Sequence, residues 1–458
     1  MPLKETISGF RGTFGGRPGD NLTPVEIQRY AVTYAKWLKK RHDNPGIVVG
    51  RDGRITGKIV SELAINTLLA MGVNVVDLGI STTPTTELAV PHHGAQGGII
   101  FTASHNPKEW NAFKFLNDQG EFLSPEHVQA LIDGFHDTDV QFATVDTIGI
   151  RTIVTDELEY HVKRVLEDEL VDPKAVRQAR LKIAVDAINS SGALIIPRLL
   201  EAMGCEVVLI NGDVSGRFNH NPEPLAKNLT QLMETVVQTR SHLGIAVDPD
   251  VDRLAFVTEQ GTYFGEEYTL AAIADYVLSR HKGTVVSNLS SSAVLDDVAA
   301  KHGVERYETP VGEVHVVAGM KEVGAVIGGE GNGGVIYPPL HYGRDAIIGI
   351  ALFLSYMAKS ERRASAIRSA LPDYHISKNK VSIPKDKIPD VLDRLKHKYK
   401  DYPQNTQDGL KIYLDMGWAH IRASNTEPVV RVISESSTPT MAHQIAASII
   451  TDIGKIIV

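Results

Sequence analysis

The sequence predicts an α/β protein: three related α/β domains with mixed, largely parallel sheets, followed by a C-terminal α+β domain. The first observation behind this is a pattern that occurs three times. Residues 47–50, an apolar run ending in glycine, lead through the polar turn Arg51-Asp52-Gly53-Arg54 and a helical stretch to Gly72 and a second apolar run, 73–78. Residues 183–186 lead likewise through Asn189-Ser190-Ser191-Gly192 and a helix ending near Gly204 to 207–210, and residues 284–287 through Ser290-Ser291-Ser292 and a helix over 293–300 to Gly303. Strand, polar turn, helix, glycine, strand is a βαβ unit. The second observation is a change of texture after Leu371-Pro372. Residues 378–384 alternate like a strand, 388–399 have helical spacing, 409–414 and 418–421 read as paired strands, and 441–456 form a closing helix. The expected domains are 1–155, 156–257, 258–370 and 371–458.

Near the N-terminus, Ser8-Gly9-Phe10-Arg11-Gly12-Thr13 reads as a glycine-punctuated loop. Thr23-Pro24-Val25-Glu26 then reads as a helix start, with Thr23 as cap, Pro24 in the first turn and Glu26 completing a capping box. A chain of 458 residues is too long for one core. Its 43% hydrophobic and 22% charged content is that of a globular protein. The net charge of −8 argues against a nucleic-acid or anionic-membrane partner, which would want a basic face. No apolar run approaches the roughly 18 residues of a membrane span, so no membrane is expected and the expected location is cytoplasmic. The single cysteine, Cys205, cannot form an internal disulfide and reads as the start of a buried strand.

Four loops carry chemistry. Thr102-Ala103-Ser104-His105-Asn106-Pro107 follows the apolar run 98–101, so Ser104 is expected on a loop at a strand's C-terminal edge, where open α/β sheets bind ligands; an ordinary Ser/Asn turn is the plainer reading. Asp248-Pro249-Asp250-Val251-Asp252-Arg253 sets three carboxylates at alternate positions of an extended loop after the strand-like 243–247. With a phosphate oxygen they would suit a hard divalent cation, Mg²⁺, Ca²⁺ or Mn²⁺; a solvated acidic turn is the alternative. The run 328–334 is rich in glycine and carries Glu330 and Asn332, and so many glycines suggest a backbone that a ligand approaches closely. Arg422-Ala423-Ser424-Asn425-Thr426 gathers a guanidinium, hydroxyls and an amide as a phosphate loop would, with Arg431 in the following strand as a second-rank candidate.

In this order the four loops resemble those of the α-D-phosphohexomutase family, which interconverts hexose 6-phosphates and hexose 1-phosphates, and the resemblance runs from the Arg11 loop to the Arg422 loop. It implies a phosphoserine at Ser104; Mg²⁺ held by Asp248, Asp250, Asp252 and the Ser104 phosphate; and a phosphate-facing Arg11. It also implies a sugar-binding loop at Glu330 and Asn332, a clamp of Arg422, Ser424, Asn425, Thr426 and Arg431 for the phosphate not being transferred, and a hexose 1,6-bisphosphate intermediate. His105 and Lys114 are the nearest titratable groups for proton transfer, and Arg253 can neutralise developing charge. Glu313 and His315 occupy a loop where relatives contact substrate.

The Glu-Gly-Asn-Gly-Gly sugar loop departs from the Glu-x-Ser-Gly-His of many bacterial glucosamine and mannose enzymes, so the resemblance leaves the sugar's 2-substituent open. Glucosamine phosphate is the expected substrate, with a bifunctional glucose/mannose phosphate mutase as the alternative. A catalytically weak sugar-phosphate binding protein would have lost Ser104 or the aspartates, and a phosphatase would have no need of the C-terminal clamp. The expected partner is a phosphosugar, with no nucleic acid and no membrane; a homodimer is the one protein partner considered.

Overall fold

The computed structural model describes residues 3–6, 9–135, 137, 139–424 and 429–457. The chain divides into two compact units, residues 1–269 with 332–368, and residues 270–331 with 369–458.

In the first unit a seven-stranded mixed sheet runs in the spatial order Lys4–Thr6, Gly9–Thr13, Trp110–Leu116, Gly97–Phe101, Gly46–Arg51, Asn74–Ile80, Arg151–Ile153. The repeat read from the sequence is here as Gly46–Arg51, the helix Gly57–Ala70 and Asn74–Ile80, the two strands parallel with Val48 opposite Val76. Every residue of Gly97–Phe101 and of Trp110–Leu116 is buried, because the sheet is covered on both faces. On one face the helices Pro24–Lys39 and Pro125–Gly134 pack Ile27, Tyr30, Tyr34 and Leu131 over Val49, Ile99 and Phe113. On the other, the helix Thr83–His92 sets Ala89 and Val90 against Val48, Ile100 and Leu116. Pro24–Lys39 starts as expected: Thr23 accepts from the backbone and the Glu26 side chain accepts back from Thr23 N.

Two expectations are corrected in this unit. Gly9–Thr13 is a strand rather than a loop, antiparallel to Trp110–Leu116 with Arg11 opposite Ala112. Gly9 permits it: its φ is +111°, and a Cβ there would meet the carbonyl oxygen of Phe113. Cys205 is buried, but the strand it precedes, Glu206–Ile210, is a half-exposed edge, since only Lys182–Asp186 pairs with it. That second sheet runs Leu254–Thr258, Leu243–Val247, Lys182–Asp186, Glu206–Ile210, antiparallel at the first pair and parallel thereafter. The almost wholly buried helix Ala346–Ser360 is capped by Asp345, whose carboxylate accepts from Ile347 N (2.7 Å).

In the second unit Val285–Asn288 pairs in parallel with Arg306–Thr309 and Ile327–Glu330, the third βαβ repeat, with the helix Val294–His302 as its crossover. The expected α+β region is a five-stranded antiparallel sheet, His375–Ser382, Val429–Ser436, Gly417–Ala423, Leu410–Leu414, Gln404–Asn405, under the helices Ile388–Lys398 and Pro439–Ile457. Ile412, Ile421 and Val432 meet Leu395 and Ile449 in its core. Partly buried polar contacts join the two sheets of this unit: Lys411 Nζ to Glu308 Oε1 (2.5 Å), His420 Nδ1 to Ser290 Oγ (2.8 Å), and Ala293 N donating to Glu435 Oε1 (2.8 Å). Among the described residues no helix is long and apolar enough to cross a membrane.

Tyr34 locks the strand that leads to Ser104. Its hydroxyl donates to Leu116 O (2.7 Å) and accepts from Gly98 N (3.0 Å). Tyr34→Phe strands both backbone groups in the core, so the unfolding free energy from a denaturant titration should fall by about 1–3 kcal/mol. An unchanged midpoint would contradict this account.

Candidate active site

The strand Gly97–Phe101 delivers Thr102 to Pro107 to the C-terminal edge of the first sheet. Ser104 is 8% exposed and has φ +47°, a left-handed conformation that a non-glycine residue adopts only when its surroundings impose it. The surroundings here are Asp52 and Arg54, which the sequence showed only as members of a polar turn. Arg54 is fully buried. Its guanidinium donates to the carbonyls of Pro107 (2.7 Å), Trp110 (2.9 Å), Asn106 (2.7 Å) and Ser104, while its Nε pairs with Asp52 Oδ2 (2.9 Å). Thr102 Oγ1 donates to the same Asp52 oxygen (2.6 Å) and accepts from Ser104 N (3.0 Å). One planar cation thus gathers the turn and presents the serine hydroxyl.

The hydroxyl meets the aspartate loop: Ser104 Oγ donates to Asp248 Oδ2 (2.6 Å), 144 residues along the chain. The loop is a turn, not the extended segment expected. Val251 takes φ +64°, its N–H returns to Asp248 O (3.1 Å), and Arg253 N donates to Asp248 Oδ1 (3.1 Å). Turning the chain back makes the three carboxylates converge where an extended strand would send alternate side chains to alternate faces. One oxygen from each of Asp248, Asp250 and Asp252 lies within 4.8 Å of the others, and all three residues are buried. Ser190 and Ser191 hold the turn through Pro249 O (2.6 and 2.7 Å).

Cations balance the loop on one side. Lys114 Nζ lies 2.7 Å from Asp250 Oδ2 and 3.3 Å from Asp252 Oδ2, and Arg344 Nη2 lies 2.6 Å from Asp252 Oδ2. Thr83 Oγ1 donates to Asp250 Oδ2 (2.7 Å). Thr83 opens the helix Thr83–His92, whose Thr85 bonds His161 Nδ1 (2.9 Å), and His161 Nε2 meets Asp345 beside Arg344 (2.9 Å). The remaining oxygens, Asp250 Oδ1 and Asp252 Oδ1, are buried without a hydrogen-bond partner. Burial raises the Asp248 carboxyl well above its ordinary value, reinforced by the charges of Asp250 and Asp252. Asp252 lies below its ordinary value: its desolvation is outweighed by the combined charges of Arg344, Lys114 and Arg253 and the hydrogen bond from Lys114. Lys114 is raised, because the two aspartates outweigh its own desolvation. Three converging hard oxygen donors with unsatisfied lone pairs fit a divalent cation of the Mg²⁺ type.

Arg11 and Lys114 lie on the same face of neighbouring strands, as the Arg11–Ala112 register requires. Burial lowers the Arg11 guanidinium, and Arg253 lowers it further, so two cations crowd a space that an anion would relieve. Arg253 Nη1 reaches Glu223 Oε1 only at 3.6 Å, and its buried Nε has no hydrogen-bond partner. His105 Nδ1 is 3.3 Å from Ser104 Oγ. Desolvation and the field of Arg253, opposed by Asp252 and aided by Arg344 and Arg11, push this imidazole down to about 2. Asn332, also in the first unit, turns its amide oxygen to Gly334 N (3.1 Å).

The second unit holds the other predicted residues. Glu330 ends the strand Ile327–Glu330, buried, and accepts from Asn288 Nδ2 (3.0 Å). Packing accounts for some of the glycines of this run. A Cβ on Gly328 would strike Met320 and Val286 O, and one on Gly333, in the first unit at φ +85°, would strike Leu254 O. Arg422 and Arg431 are directly opposed across the antiparallel pair Gly417–Ala423 and Val429–Ser436, and Lys380 faces Arg431 from the other side. Three cations in one cross-strand row repel each other. Asp408 answers Arg422 at 3.2 Å, but the buried Nε atoms of Arg422 and Arg431 have no hydrogen-bond partner. The alignment of Lys380 with Arg431 and Arg422 is set by strand register, which the sequence alone does not give. Ser424 N donates to Val429 O (2.9 Å), while Asn425 and Thr426 lie outside the described residues. Glu313 opens the helix Glu313–Val323, where His315 N returns to Gly312 O (3.0 Å).

Comparison with known proteins agrees with this architecture. The chain matches the phosphoglucomutase/phosphomannomutase α/β/α domain I over residues 4–141, domain II over 159–261, domain III over 265–374 and the C-terminal domain over 379–451. It is 35% identical to a phosphoglucomutase/phosphomannomutase of Thermococcus kodakarensis, over 94% of this chain and 96% of that one. It is 36% identical to a probable phosphoglucosamine mutase of Methanopyrus kandleri, over 95% of each. The crystal structure of a phosphoglucomutase/phosphomannomutase family protein from Burkholderia thailandensis superposes with TM-score 0.86 at 26% identity, covering 100% of this chain and 98% of that one. The chain belongs to the phosphoglucomutase/phosphomannomutase family, the α-D-phosphohexomutases. It is a phosphohexomutase, an isomerase that moves a phosphoryl group.

Two outcomes check this geometry. Arg54→Met leaves Asp52 as an uncompensated buried charge and frees four carbonyls, so it should cost about 3 kcal/mol or more in a denaturant titration; a loss under about 1 kcal/mol would count against the fork. In the unphosphorylated protein, the His105 ring should stay neutral, its NMR shifts flat from about pH 5 to about pH 8, because its titration falls far below the ordinary histidine range.

Proposed function

We propose that this phosphohexomutase interconverts glucosamine 6-phosphate and glucosamine 1-phosphate through a phosphoserine at Ser104 and a hexose 1,6-bisphosphate. The observation that carries the reading is the 2.6 Å contact between the Ser104 hydroxyl and Asp248 within the three-carboxylate cluster. Asp248, Asp250, Asp252 and the Ser104 phosphate would hold Mg²⁺. When bound, the ion supplies charge neutralisation to the phosphoryl group in flight.

This chain's residues divide the remaining work. The phosphoryl group leaves Ser104 Oγ as the sugar's free hydroxyl attacks phosphorus; that hydroxyl's proton is released and the serine oxygen regains one. After the bisphosphate reorients, the second phosphate returns to Ser104 by the reverse exchange. Arg11, Arg253 and Arg344 neutralise the phosphate's charge. Lys114, paired with both aspartates, orients Asp250 and Asp252. His105, neutral and close to Ser104 Oγ, holds the loop, since a ring pushed this far down takes a proton poorly at neutral pH. Glu330 accepts from sugar hydroxyls with Asn332 beside it in the chain. Arg422, Arg431 and Ser424, with Asn425 and Thr426, grip the phosphate not being transferred, and the crowding of Arg422 against Arg431 favours that anion.

Relatives of almost equal similarity carry glucosamine and glucose/mannose names, which supports a bifunctional phosphoglucomutase/phosphomannomutase as the second reading. In ³¹P NMR with Mg²⁺ and a trace of the matching 1,6-bisphosphate, glucosamine 6-phosphate should give a 1-phosphate signal faster than glucose or mannose 6-phosphate does. Ser104→Ala should abolish it in every tube. Faster turnover of glucose and mannose phosphates would select the second reading, and release of inorganic phosphate alone would defeat both. Chelating the metal should cut the rate by at least about 100-fold, restored by Mg²⁺.

A further inference from the structure

A second cluster of metal-ligating side chains lies apart from the aspartate turn, in the first unit. His92 closes the helix Thr83–His92, His93 caps it, and Glu157 opens the helix Glu157–Leu166. The two histidines are exposed and the glutamate is buried. His92 Nδ1 lies 2.8 Å from Glu157 Oε1, and His93 Nε2 lies 2.9 Å from Glu157 Oε2, so both imidazoles turn a nitrogen to one carboxylate. One ligand atom from each residue lies within 4.8 Å of the other two. The His92 ring is held in place, stacked on Tyr160 with centroids 3.7 Å apart and planes 5° from parallel.

We infer that His92, His93 and Glu157 form a binding site for a borderline divalent transition metal of the Zn²⁺ class. The donor set is two imidazole nitrogens and one carboxylate oxygen, which suits Zn²⁺ and not the hard Mg²⁺ that the all-oxygen aspartate turn suits. Three protein ligands leave a fourth tetrahedral position for water on the exposed side. Neighbouring residues in the chain supply the two histidines from a helix end fixed by the His93 N to Ala89 O bond (3.0 Å), and the glutamate comes from a second helix, so a bound ion would staple the two helices. The stapled helix is the one whose first residue, Thr83, holds Asp250. The ion would replace a proton on each nitrogen, leaving each unbound ring nitrogen as the N–H tautomer.

The full chain, stripped with chelator and re-equilibrated with excess Mg²⁺ to fill the aspartate turn, should retain about one equivalent of Zn²⁺ after equilibrium dialysis, measured by elemental analysis. Co²⁺ added in place of Zn²⁺ should give the visible absorption of a four-coordinate nitrogen–oxygen site. The double variant His92→Ala/His93→Ala should retain none and show no such absorption, whereas Asp250→Asn should retain Zn²⁺ as the parent does. No Zn²⁺ retained by the parent, or equal retention by the double variant, overturns the proposal. Should circular dichroism find the double variant unfolded, Glu157→Gln decides in the same way: at least about tenfold weaker Zn²⁺ binding supports the site and unchanged binding removes it.

Discussion

The architecture around Ser104 depends on bringing three carboxylates together in a buried turn, which is unfavourable by itself. Unrelieved, such a cluster would protonate or open. Lys114 and Arg344 take one oxygen each of Asp250 and Asp252, Thr83 adds a hydroxyl, and Ser104 gives its hydroxyl to Asp248. Each compensating group comes from a different place: a strand of the first sheet, the segment before a buried helix, the first turn of another helix, and the serine loop. The electrostatic demand of one hexapeptide thereby fixes how four distant stretches of chain must meet.

The serine loop is assembled by the opposite strategy. Arg54 saturates backbone carbonyls, and its charge is answered by a single aspartate two residues away. Because its partners are carbonyls, the loop keeps its shape without spending the serine hydroxyl, which stays available for chemistry. The left-handed turns at Ser104 and Val251 are held from outside, one by a guanidinium and a threonine, the other by paired serines.

Much of this was legible in the sequence. The three βαβ repeats and the C-terminal strands were readable because their periodicities are local. Ser104 and the aspartates were readable because small polar or acidic residues directly follow buried apolar strands. The supports were not. Asp52 and Arg54 sit in a turn that looks like any other, and their partners lie about fifty residues away. The convergence of the aspartates rests on one positive φ at Val251, which no side-chain pattern announces. The glycines near Glu330 are ambiguous in sequence, since crowding by backbone and side chains requires Gly328 and Gly333 as firmly as a ligand would. Arg11 read as part of a loop because glycines flank it, although Gly9 is what lets that segment pair as a strand.

The cross-strand row of Lys380, Arg431 and Arg422 carries a consequence for the lifetime of the protein as well as its chemistry. If these side chains grip phosphate as proposed, a ladder built over mutually repelling cations is less stable bare than with phosphate bound, so by mass action the C-terminal sheet would gain stability with the supply of phosphosugar. A cell short of substrate would then hold this sheet closer to opening, where proteases act.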